Sequence, residues 1–112
     1  MSEPIPQPWE VWHARFDFSE GHGYKHRPII VLETRLDGLL VAMMTGVANK
    51  LSLEHDYPIR EWEAAGLDKP SIARLDRIAE IPAGYLGVAG RIGCLTDGDI
   101  NAIKAILAEI TR

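Results

Sequence analysis

The chain has 112 residues, 46% hydrophobic and 25% charged, with 12 basic against 16 acidic side chains and a formal net charge of −4. Those figures suit a single globular domain with one modest core. They exclude a broadly basic protein that coats nucleic acid, and no apolar stretch nears the roughly 20 residues that a membrane helix needs.

Residues 1–8 carry Pro4, Pro6 and Pro8 and read as a flexible, extended lead-in to a domain over 9–112. The N-terminus has neither the basic nor the apolar region of a signal peptide, so a cytoplasmic chain is expected. From Trp9 the pattern alternates. Trp12, Ala14, Phe16 and Phe18 share one face and Val11, His13, Arg15 and Asp17 the other, a strand with one buried face. Residues 19–26 contain Gly21 and Gly23 and read as a loop. Ile29-Ile30-Val31-Leu32 is short, rich in β-branched residues and closed by Glu33-Thr34, so it reads as a strand buried on both faces. Pro28 can open that strand without breaking a ladder. Asp37-Gly38 marks a hairpin turn, and 39–45 is a second apolar strand pairing antiparallel with the first.

Residues 60–65 make a helical turn or two, stopped by Gly66. Lys69 is held extended by Pro70. In the strand over 71–81 the apolar residues Ile72, Leu75, Ile78 and Ile81 do not alternate cleanly, which points to a bulge. Residues 82–90 are turn-rich and 91–95 form a last short strand. There the lone Cys94, which rules out an internal disulfide, reads as a core thiol. Thr96 caps the final helix with Asp99 at its third position, a variant of the capping box. Ile100, Ile103, Leu107 and Ile110 form its apolar stripe, with Ile106 at the border. Five or so short strands with one packed helix predict a mainly β fold, a small twisted barrel with the C-terminal helix as its lid.

The segment Tyr24-Lys25-His26-Arg27-Pro28 runs straight into the first buried strand. Arg27 then stands at the mouth of the sheet, where a fixed guanidinium can hold a phosphate in bidentate fashion. The alternative is a surface arginine paired with Glu20 or Glu33. Lys25, His26 and Arg27 together give an acidic chain one local basic site, enough for a small RNA groove but not for long-range attraction. His22 and His26 are four apart, but in a glycine-bearing loop that spacing puts them on no common helix face, so no metal site is read. No Walker, Rossmann or nucleophile-elbow motif is present, and no cofactor is expected.

Three blocks in order carry a resemblance. The first is Phe16-Asp17-Phe18, a glycine-bearing loop, then Lys25-His26-Arg27-Pro28-Ile29-Ile30-Val31-Leu32. The second is Leu40-Val41-Ala42-Met43-Met44-Thr45. The third is Trp62-Glu63-Ala64-Ala65-Gly66-Leu67-Asp68-Lys69-Pro70-Ser71, followed by Leu75-Asp76-Arg77-Ile78. With the tail Ile92-Gly93-Cys94-Leu95-Thr96 running into a helix, the set resembles the MazF/PemK toxins of bacterial type II toxin–antitoxin systems. The resemblance implies an SH3-like barrel of the CcdB/PemK type, usually a homodimer. It implies a metal-independent endoribonuclease acting on single-stranded RNA and silenced by a small antitoxin. The family's catalytic arginine falls on Arg27, its catalytic Thr or Ser on Thr45, and the serine of the third block on Ser71. Two positions depart: Trp9 stands where members have Gly, and His22 where many carry Glu.

Metal-free RNA cleavage uses the substrate's own 2′-hydroxyl as nucleophile. Arg27 suits stabilisation of phosphoryl charge. Thr45 can donate to the same oxygens or orient the 2′-hydroxyl. His22 or His26 can move protons near neutrality. Lys25, His26 and Ser71 would hold substrate. Arg27 opens one hairpin arm and Thr45 closes the other, so antiparallel pairing should bring them side by side. Two other readings stay open: a barrel of this fold that binds without cutting, and a gyrase poison like CcdB. That last family acts through a C-terminal tryptophan, whereas this chain ends Glu109-Ile110-Thr111-Arg112.

Overall fold

The computed structural model describes residues 5–17, 23–46 and 54–110. In chain order the strands are β1 (Glu10–Asp17), β2 (Tyr24–Arg35), β3 (Gly38–Gly46), β4 (Asp56–Pro58), β5 (Ser71–Ile81) and β6 (Leu86–Cys94), with the helix α1 (Asp97–Ile110) last. All pairings are antiparallel, in one sheet of order β4-β5-β3-β2-β1-β6. The protein is mainly β with a C-terminal helix. Among the described residues the sheet is open where a closed barrel is expected. β4 has three residues and pairs only with β5, and β6 pairs only with β1.

The central hairpin follows the sequence reading, with Ile30 opposite Ala42 and Val31 opposite Val41. The turn itself sits one residue earlier: Leu36 and Asp37 occupy it, and Gly38 already pairs with Arg35. β2 starts at Tyr24, so Lys25, His26 and Arg27 are strand residues opposite Phe16, Arg15 and Ala14 of β1 and not part of a loop. Polar residues on a strand leave no apolar alternation to read, and here the ladder with β1 fixes their conformation. Pro28 lies inside β2, next to the point where its pairing with β3 stops at Ile29 and Met43.

Both faces of the sheet are covered, so alternate residues enter different cores. Ile30, Val11, Ala42, Met44, Ala73 and Leu75 join the cluster under α1 and the 60–66 turn, which adds Ala65, Leu67 and the fully buried Ile103. Ile29, Val31, Trp12, Ala14, Leu39, Val41 and Ile81 form the second cluster. Val11 and Trp12 therefore bury on opposite faces, while from Trp12 to Arg15 the predicted alternation holds, with Trp12 and Ala14 buried and His13 and Arg15 exposed. Burial of a side chain such as Ile103 contributes about 1.5–3 kcal/mol. The isoleucine stripe of α1 packs as predicted, with Ile100, Ile106, Leu107 and Ile110 half-buried against the first cluster. Cys94 is exposed, at the far end of β6 opposite Glu10.

The 60–66 turn ends as a helix C-cap. The Gly66 amide donates to Glu63 and the Leu67 amide to Trp62, at 3.0 Å each, with Gly66 at φ +93°. This turn lies backbone to backbone on β6: a Cβ built on Gly93 would stand 2.0 Å from the Ala65 carbonyl oxygen. Asp99 reaches well beyond the local cap with Thr96 expected of it. Its carboxylate, 1% exposed, accepts the Tyr57 hydroxyl at 2.6 Å and the amides of Arg60 and Glu61 at 3.0 Å each. It ties α1 to β4 and to the start of the 60–66 turn.

Candidate active site

Along β2, Arg27 shares a face with Ile29 and Val31, whereas His26 and Pro28 share the face of Ile30. The β2–β3 pairing ends at Ile29 and Met43, with Arg27 and Thr45 each two residues beyond it on their strands. Both line one cleft of about 370 Å³ at that end of the sheet, together with Met43, Met44, Arg74 and Arg77. Arg27 is half-buried. Its candidate partner Glu33 is bound instead to Arg35, at 3.1 Å, and Arg35 reaches Glu80 at 2.6 Å. Among the described residues Arg27 has no ion pair of its own.

Arg74 and Arg77 carry no site signal in the sequence. Three residues apart on a regular strand, they would point to opposite faces. β5 breaks its register with β3 between Ala42, which faces Ile78, and Met43, which faces Arg74. Residues 75–77 are therefore unopposed, and this bulge brings Arg77 round to the cleft beside Arg74. Asp76 is held elsewhere: its carboxylate meets His55 Nδ1 at 2.8 Å and accepts the His55 amide at 2.7 Å. That hydrogen bond raises the His55 pKa and lowers that of Asp76. Asp56 approaches Arg74 at 3.8 Å.

The remaining candidates divide. His26 and Ser71 line a separate cleft of about 320 Å³ with His13, Gly66, Leu67 and Lys69. Ser71 is buried and its hydroxyl donates to the Lys69 carbonyl at 3.0 Å. Arg27 with Thr45 and His26 with Ser71 thus flank β2 on its two faces, near the same end of the sheet. His22 and the side chain of Lys25 lie outside the described residues. His55 sits apart, with Asp76. Trp12 is core, 2% exposed, and donates its indole N–H to Glu10 at 3.1 Å.

The model of the PemK-like, MazF-like toxins of type II toxin–antitoxin systems matches residues 7–111. The chain belongs to this family. No individual curated protein matches it. Membership of the PemK/MazF toxins implies an antitoxin partner. Among the described residues no helix is long and apolar enough to cross a membrane. Where PemK/MazF members carry Gly before the first strand, Trp9 here adopts φ 72°, a left-handed conformation costly for any residue with a side chain. Two backbone bonds hold it there: its amide donates to Val31 at 2.6 Å and its carbonyl accepts the Leu95 amide at 3.0 Å.

Proposed function

We propose that this PemK/MazF toxin is a metal-independent endoribonuclease of single-stranded RNA, working as a homodimer in the cytoplasm and silenced by its antitoxin. The observation that carries the reading is the shared cleft of Arg27 and Thr45. The substrate's 2′-hydroxyl attacks the adjacent phosphorus, and the bond from phosphorus to the 5′-oxygen breaks. The products are a 2′,3′-cyclic phosphate and a free 5′-hydroxyl. Arg27 faces the phosphoryl oxygens as they gain charge, with a guanidinium that stays cationic and offers a planar fork of donors. Thr45 donates to the same oxygens or orients the nucleophile. His22 moves the protons, and Lys25, His26 and Ser71 hold the strand; the separate cleft of His26 and Ser71 favours this binding role for them over contact with the scissile phosphate.

Arg27→Ala should leave the fold intact, at a cost of roughly 1 kcal/mol. It should slow cleavage by about 10²–10³-fold, the value of one preorganised donor on a developing oxyanion. Purified wild type and variant are compared on a single-stranded RNA in the presence of EDTA, which should not change either rate. A folded wild type that cuts no RNA sinks the catalytic reading. A variant that cuts as fast as wild type means the site has been misplaced.

A further inference from the structure

The cleft holds more positive charge than one phosphate requires. Arg27, Arg74 and Arg77 converge on about 370 Å³, and like charges gathered this closely repel one another unless an anion lies between them. The chain as a whole is acidic, at −4, so the gathering is local. Two features of β5 produce it. The bulge at residues 75–77 turns Arg77 to the side of Arg74, where a regular strand would have turned it away. The carboxylate between them in sequence, Asp76, is hydrogen-bonded to the His55 side chain and amide and reaches Arg77 only through a weaker Coulomb attraction. Arg74 has Asp56 at 3.8 Å, whereas exposed Arg77 has no hydrogen bond or ion pair among the described residues.

We infer that Arg77, supported by Arg74, is a subsite for a second phosphate of the RNA, next to the one that Arg27 and Thr45 act on. This rests on the ribonuclease reading and extends it: the ligand is a single strand at least two phosphates long. Arg77 is a binding residue there and touches no reacting atom. Its contact is made equally in the ground and transition states, so its loss should weaken binding and leave the chemical step alone.

The test uses the full chain and a short single-stranded RNA, with a 2′-O-methyl version of the same strand for binding without cleavage. Arg77→Ala should raise KM about tenfold, as expected for losing one charge-assisted contact, with kcat within about twofold. The slope of log affinity against log salt for the methylated strand should shrink by about 0.7, one phosphate contact on a single strand. Arg77→Lys, which keeps the charge, should retain the wild-type slope, and Arg77→Glu should weaken binding further than Arg77→Ala. Should Arg77→Ala match wild type in KM and salt slope while wild type cuts RNA, the subsite is wrong and the ribonuclease reading stands. A drop in kcat with KM unchanged would also overturn it, since Arg77 would then act on the chemistry. A wild type that neither binds nor cuts either strand overturns both.

Discussion

Asp99 is the side chain on which the helix, β4 and the 60–66 turn all depend. Burial pulls its carboxyl pKa upward, but the Tyr57 hydroxyl and the amides of Glu61 and Arg60 outweigh that and hold it below the usual carboxylate range. The same arrangement pushes Tyr57 up to about 12, through burial first and the bond to Asp99 second. Asp99→Ala leaves three donors without their acceptor and should cost about 3 kcal/mol or more, against about 1 kcal/mol for Tyr57→Phe. Urea unfolding of the two variants checks this, and equal losses would show that the amide bonds carry little. A carboxyl whose pKa falls on folding contributes stability above its unfolded pKa and loses it as pH falls through the folded one. Acid unfolding below about pH 4 should therefore be shallower in Asp99→Asn than in wild type. The sequence shows Asp99 only as a local cap, because its partners beyond Thr96 lie 38 to 42 residues away. The closeness of Arg27 and Thr45 is legible because both sit at ends of one hairpin. That of Arg74 and Arg77 is not, because only the bulge sets them side by side.

At the scale of elements, the backbone contact between the 60–66 turn and β6 locks the cover of the first core in place. Gly93→Ala forces a Cβ into the Ala65 carbonyl and should cost about 1–3 kcal/mol as overpacking. Gly84→Ala, where a Cβ meets nothing within 4 Å, is the control and should lie within about 0.5 kcal/mol of wild type. Matching thermal midpoints for the two would mean that the turn can move off the strand. The glycine at position 66 was readable as a helix stop, since a left-handed C-cap leaves a local signature. The sequence shows only 91–95 of β6, because its first half, Leu86-Gly87-Val88-Ala89-Gly90, carries two glycines and little apolar alternation. The hairpin of β2 and β3 was plain for the opposite reason: two apolar runs with a turn dipeptide between them admit one pairing.

For the whole molecule, the expected association is a symmetric pair. Sedimentation at tens of micromolar should give the mass of two chains, and a single-chain mass across that range would remove the homodimer from the proposal. The open sheet constrains how such a pair can form. Its two outermost strands are β4, three residues long and ending in Pro58, and β6, whose ladder with β1 slips register twice. Neither offers the long, flat row of unpaired amides and carbonyls on which another chain can add a strand. On the described residues, a second copy is expected to be gripped by side chains on a face or loop and not by shared backbone hydrogen bonds. Such a contact can be abolished by a few surface substitutions without touching the fold, and the same blunted borders guard the chain against growth into fibrils.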